Sequence, residues 1–155
     1  MADPDQLALR RRQTQIVLDL QRLRNATERR IGELLEAHDL VPITPAQANA
    51  LMVLVNAREP LTSADVARDL GLSEVTVGRF VKALLEGEWI ARARDPDDGR
   101  RFLLTPTGKT RDALPRLVKV SNTMLDEVFA GWSASEVADL GDRMAQLRDR
   151  LESHA

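Results

Sequence analysis

The sequence predicts a mainly α-helical chain with one small β-hairpin, and three observations carry that expectation. Aromatic residues make up only 3% of a 155-residue chain that is 43% hydrophobic, so Leu, Val and Ala must fill the core. Helices packed on helices can use such residues; a β-sandwich would want more aromatics. Long segments space their apolar residues three and four apart, the period of one helix face. One stretch, Trp89 to Leu104, breaks that period with alternation around the turn Asp95-Pro96-Asp97-Asp98-Gly99. The length suits one domain with a sizeable core, residues 1–155.

The elements follow in order. Asp3 and Pro4 open a long helix, with Gln6 placed to complete a cap. Its stripe is Ile16, Leu20, Leu23, Thr27, Ile31 and Leu34, and Pro42 stops it. Arg10, Arg11 and Arg12 precede the stripe and are expected to be solvated, with a phosphate contact as the alternative. Thr44-Pro45-Ala46-Gln47 is a capping box that starts a second helix, buried through Ala48, Leu51, Met52, Leu54 and Val55. Leu61 is placed to bridge to the later hairpin. Thr62 to about Glu86 reads as two helices joined at Gly71. Ala67 is small where steeply crossing helices touch, Gly71 tolerates positive φ, and Val77 anchors the second helix on the first. Ser73 caps that second helix.

Trp89 to Arg94 and Arg100 to Leu104 are the strands of the hairpin. Thr105 is then expected to cap a fifth helix, with Pro106 in its first turn. Leu114, Leu117, Val118, Ser121, Leu125, Val128 and Phe129 form its apolar face, and Gly131 ends it. Pro115 should kink or split that helix. Ser133-Ala134-Ser135-Glu136 is another capping box. Beyond it Val137, Leu140, Met144, Leu147 and Leu151 form a heptad-like seam. The two terminal regions, 4–40 and 105–153, flank a compact lobe at 44–104. Their long stripes are expected to pair between two subunits, through Ile16, Leu20 and Leu23 at one end and the five seam residues at the other.

Composition bounds the function. The N-terminal MADPDQLALRRRQ lacks the apolar run of a signal peptide, and no stretch approaches the roughly 20 apolar residues of a membrane span. A cytoplasmic protein without a membrane partner is expected. Zero cysteines excludes disulfides and thiolate metal sites, and His38 and His154 stand apart, so no metal and no cofactor is expected. Net charge is −2, which is unlike a nucleic-acid binder until its distribution is read. Residues 1–57 hold seven basic and seven acidic side chains, 58–111 ten and nine, and 112–155 five and eight. The middle is the least acidic part, so any nucleic acid must meet cations gathered on one face.

The second helix of the central pair offers Glu74, Val75, Thr76, Gly78, Arg79 and Lys82 on its outer face, short, polar and cationic as a major groove requires. With a hairpin whose tip carries Arg100 and Arg101, the stretch reads as a winged helix-turn-helix. This order of elements resembles the MarR family of bacterial transcriptional regulators over nearly the whole chain. The most specific parts are LTSADVARDLGLSEVTVGRFVKALLEGEWIARARDPDDGRR and the following LTPTG. The resemblance implies a homodimer paired through its terminal helices. Recognition helices would enter adjacent major grooves of double-stranded DNA bearing an inverted-repeat operator, with wings in the flanking minor grooves. It further implies a repressor released by a small aromatic ligand.

Carried over by position, Ser73, Glu74, Val75, Thr76 and Arg79 would face the groove and Lys82 the backbone. Arg94, Asp98, Arg100 and Arg101 would belong to the wing. The family's Asp-any-Arg pattern falls on Asp98-Gly99-Arg100, where the carboxylate is expected to close the hairpin and orient the guanidinium. Three departures stand out. Glu88 occupies the place of a usual glycine, with Gly87 one residue earlier. The spacing from Arg100 to Leu104 is about two residues short, implying a stubby second strand. Pro115 lies inside a helix that would serve dimerisation. Trp89, Trp132, Met124 and His38 either pack or line a ligand cleft.

Two other function classes fit the sequence less well. An enzyme would need more than the acidic pairs Asp97/Asp98 and Asp126/Glu127, and no Ser-His-Asp set, metal triad or phosphate loop accompanies them. A winged-helix module that binds only protein has no need of Arg79, Thr76 or Arg100 on its outer face.

Overall fold

The computed structural model describes residues 4–153, so the expected cap at Asp3, and His154, lie outside the described residues. Six helices and a two-stranded antiparallel hairpin follow in the order α1 (Pro4–Ala37), α2 (Pro45–Asn56), α3 (Ser63–Leu70), α4 (Glu74–Glu86), β1 (Ile90–Arg94), β2 (Phe102–Pro106), α5 (Gly108–Val128) and α6 (Ala134–Glu152). The described residues fall into two compact units that meet between Ser121 and Asn122, within α5.

In the first unit, α1 spans 34 residues and buries only Leu34 and Leu35. It stops at Ala37, five residues before Pro42, because the chain turns there on its own hydrogen bonds. Asp39 takes φ 54°, and the Leu40 N–H donates to the Leu35 carbonyl at 2.9 Å. The fully buried Leu40 side chain seals the turn. Arg116 of α5 donates to the His38 and Asp39 carbonyls at 3.3 and 3.1 Å, placing a cation at the negative end of α1.

The capping box at Thr44 and Gln47 forms as expected. Ala48, Ala50, Leu51 and Leu54 of α2 pack under α3 and α4. The hairpin lies against α2 and α4, extended by the expected single-residue bridge between Leu61 and Leu104.

Two expectations about the chain after the wing are corrected. Thr105 and Pro106 do not start a helix; they complete β2, which pairs from Phe102 opposite Arg94 to Pro106 opposite Ile90. The second strand is therefore as long as the first. Proline is tolerated there because it ends an edge strand, where no ladder partner needs its N–H. The junction is fastened instead by Thr107, which donates through its N–H and its hydroxyl to the Trp89 carbonyl (3.1 Å each). The buried Thr110 hydroxyl donates to the same oxygen.

The α5 helix runs unbroken through Pro115, whose ring is exposed and so displaces no core side chain. Its buried face is Thr110, Ala113, Leu117 and Val120 rather than the expected Leu114-to-Phe129 stripe, of which Val118, Leu125 and Val128 are exposed. The two faces share Leu117; packing against the lobe selects the one carrying small side chains.

In the second unit, Phe129 and Trp132 meet edge to face at 5.9 Å. The capping box of Ser133 and Glu136 opens α6. None of the helix's residues is buried: Val137, Leu140, Met144 and Leu147 stay 38–43% exposed and Leu151 76%.

Candidate nucleic-acid interface

The candidate face is built on two helices whose junction is held by backbone geometry. Thr62 caps α3 in a capping box with Asp65. The Thr62 hydroxyl and N–H hold the Asp65 carboxyl down to about 2. At the other end Gly71 sits in the left-handed region, φ 63°, and the Leu72 N–H returns to the Ala67 carbonyl at 2.9 Å. Val66, Ala67, Val77 and Val81 bury the contact between α3 and α4, as the small-residue spacing predicts.

Ser73 then caps α4: its Oγ accepts from the Thr76 N–H at 3.2 Å and lies 2.8 Å from the Thr76 hydroxyl. The two hydroxyls are thus hydrogen-bonded to each other at the first turn. Val75 is 73% exposed, a bare isopropyl group on the helix tip. Glu74, Gly78, Arg79 and Lys82 are also exposed. No side-chain partner is found for Arg79 among the described residues, whereas Lys82 lies 3.9 Å from Glu86.

A left-handed residue ends α4 as well. Glu88 adopts φ 58°, and the Trp89 N–H donates to the Leu84 carbonyl at 2.9 Å. The departure noted at Glu88 is therefore real: a non-glycine residue occupies a conformation that glycine favours. Gly87 is needed for another reason, since a Cβ there would lie 2.8 Å from Trp89 Cδ1. Lys109 donates to the Gly87 carbonyl at 2.7 Å with its ammonium 4.4 Å from the Trp89 ring. Trp89 is buried packing at the wing's base; Trp132 is half exposed, and His38 and Met124 are partly buried.

The wing tip closes mainly through Asp95 and Asp98. The Asp98 carboxylate accepts from the Arg100 N–H at 3.0 Å, and its carbonyl from the Arg101 N–H at 2.9 Å. So Asp98 shapes the turn, but it does not orient the Arg100 guanidinium as expected; among the described residues its carboxylate bonds backbone rather than that side chain. Arg101 instead approaches Asp95 at 3.9 Å, and Arg94 donates to the Gly99 carbonyl at 3.1 Å. The Arg100 side chain projects without a partner among the described residues. One feature the sequence reading passed over is Phe102, 41% exposed, with Arg92 and Arg94 stacked over its ring at 5.0 and 5.7 Å. Its signal was the alternation Arg92-Ala93-Arg94, which puts both arginines on one face.

Among the described residues no group of three or more His, Asp or Glu could hold a metal ion, and no helix is long and apolar enough to cross a membrane.

Comparison with known proteins agrees with this geometry. The model of the MarR family matches residues 41–101, from three residues before the α2 cap to the wing tip. YdgJ of Bacillus subtilis strain 168, an uncharacterised HTH-type transcriptional regulator, is 25% identical over 111 residues, 72% of this chain and 67% of its own. Staphylococcus aureus MepR, solved as a complex with DNA, is 19% identical with a TM-score of 0.76, over 86% of this chain and 96% of its own. CouR of Rhodococcus jostii RHA1, solved bound to p-coumaroyl-CoA, is 19% identical with a TM-score of 0.74, over 85% and 90%.

Proposed function

We propose that the chain is a winged helix-turn-helix transcriptional regulator of the MarR family, a homodimeric repressor that binds an inverted-repeat operator and is released by a small aromatic ligand. The observation that carries DNA binding is the outer face of α4. It presents Val75 and Arg79 to solvent, and the wing tip presents Arg100; neither guanidinium has a side-chain partner among the described residues. An exposed isopropyl group suits a thymine methyl, and a free guanidinium suits guanine O6 and N7. MepR's complex with DNA supports the same use of the fold here, and CouR's acyl-CoA ligand supports a small-molecule effector.

Dimerisation is the second part of the proposal. Val137, Leu140, Met144 and Leu147 form one exposed apolar seam on α6, and Ile16 and Leu23 stand exposed on α1. A monomer would leave these faces in water, whereas a two-fold partner covers both copies at once. In this reading residues 1–155 make one MarR-like domain, 44–104 the DNA-binding lobe, and 4–40 with 105–153 the dimer helices. Two recognition helices held by such a dimer read half-sites about 34–36 Å apart.

Titrating the protein with duplex DNA at several salt concentrations tests the reading. Affinity should fall steeply as salt rises, and a preferred inverted repeat should be recoverable by selection from random duplexes. Absence of binding at low salt, by a folded dimer, would refute it.

A further inference from the structure

A cleft of about 610 Å³ separates α4 from the wing, lined by Ser63, Gly78, Val81, Lys82, Glu86 and Arg92. Gly78 and Lys82 stand on the helix side and Arg92 on the strand side. The Arg92 side chain finds no hydrogen-bond or carboxylate partner among the described residues; it lies over the Phe102 ring, 5.0 Å from its centroid. A guanidinium whose partner is an aromatic ring still has N–H donors to offer another acceptor. Phe102 is itself held on the opposite side of the hairpin ladder, paired with Arg94. An aromatic ring left 41% exposed in a chain with five aromatic residues calls for a use.

The geometry points to one. When a helix occupies a major groove and the adjoining hairpin reaches the next minor groove, the sugar-phosphate backbone between those grooves must pass between helix and hairpin. In this fold that passage is the α4–β1 cleft. We propose that the cleft seats a backbone phosphate of bound DNA, gripped by Lys82 from one wall and Arg92 from the other. Phe102 is a positioning residue that holds the Arg92 guanidinium ready. Arg92 and Phe102 join the contacts at α4's outer face and the wing tip. The one carboxylate on the cleft wall, Glu86, pairs loosely with Lys82 at 3.9 Å, both side chains being mostly exposed. A pair that open to water contributes little, and a phosphate displaces it.

The inference rests on the DNA-binding reading, and the test separates the two. A phosphate contact is blind to sequence, so a random 30-base-pair duplex serves as the probe. Arg92→Ala should weaken binding about tenfold at 0.1 M salt and reduce the salt slope by about one unit. Phe102→Leu should weaken it about threefold, and Phe102→Tyr, which keeps the ring, should restore wild-type affinity. If Arg92→Ala does not fold, Arg92→Gln carries the test: the stem is kept and the charge removed, so the salt slope should again fall by about one unit. Failure of the wild type to bind any duplex overturns the function itself. Wild-type binding with an unchanged slope in Arg92→Ala, or in Arg92→Gln, overturns the phosphate seat alone. Equal affinities for Phe102→Leu and wild type remove the positioning role.

Discussion

Helix α4 begins at a serine cap, Ser73, and buries Val77, Val81 and Leu84; helix α6 begins at a serine cap, Ser133, and buries none of its residues. Both are amphipathic, and the α6 seam is the longer and more regular of the two. The difference lies in what faces them. The apolar side of α4 is answered by α2 and α3 of the same lobe, so its hydrophobic energy is realised within one chain. The apolar side of α6 keeps four large side chains about 40% exposed. Amphipathicity therefore states that a face must be covered without stating by what, and on the proposed function the answer for α6 is a second copy.

The largest expected effect breaks that comparison at α6. Leu147→Asp places a charge in the seam, where full burial of each large apolar side chain would stabilise by about 1.5–3 kcal/mol. The variant should sediment as a monomer, or unfold, and lose operator binding although every DNA-facing residue remains. A wild-type monomer at micromolar concentration, or a monomeric variant binding as tightly as before, would sink the dimer.

Next in size is the matching change in α4. Leu84, 1% exposed, should cost about 2–5 kcal/mol when cut to alanine. That loss should be the same at every protein concentration, while Leu147→Ala should lower stability by an amount that varies with concentration. Urea unfolding at two concentrations a hundredfold apart reads both. Concentration dependence in neither variant would mean that α6, like α4, is stabilised within its own chain.

A smaller effect concerns the exposed side of α4. Arg79→Ala should cost about 1–3 kcal/mol on the preferred operator and much less on random duplex. Equal losses on both would assign Arg79 to phosphate. Arg100→Ala should instead lower affinity on both and reduce the salt slope by about one unit.

How far the sequence was legible follows from the same contrast. Element type and order were readable because caps and periodicity are local: Thr44, Ser73 and Ser133 all cap as their neighbours predict. What escaped depends on contacts distant in sequence. Thr105 and Pro106 look like a helix start, yet pairing with Ile90 and Ala91 claims them for β2. The α5 face was misread because Leu114, Leu117 and Val118 offer two overlapping stripes, and only the lobe's surface chooses between them. Of the interface, the outer positions of α4 were legible from spacing. The Arg92–Phe102 stack was not, since it joins residues ten apart through strand register.

Three helices, α1, α3 and α4, end in the same left-handed turn, at Asp39, Gly71 and Glu88. Only Gly71 advertises it, and Gly87, one place before Glu88, misdirects. The two lobe turns therefore set up the smallest prediction. A non-glycine residue in the left-handed region costs roughly 1–2 kcal/mol, and glycine's greater freedom in the unfolded chain takes back about 0.5–1 kcal/mol. Glu88→Gly should thus stabilise the fold by about 0.5–1 kcal/mol, raising the melting temperature by a few degrees. The neighbouring glycine should respond oppositely. Its φ is −81°, open to any residue, but a Cβ would press on the Trp89 ring. Gly87→Ala should therefore destabilise although its backbone is unstrained. Thermal melting of the two single variants separates conformational strain from steric contact at adjacent positions. A Glu88→Gly variant that melts below wild type would show that the glutamate side chain contributes more to this turn than its backbone strain removes.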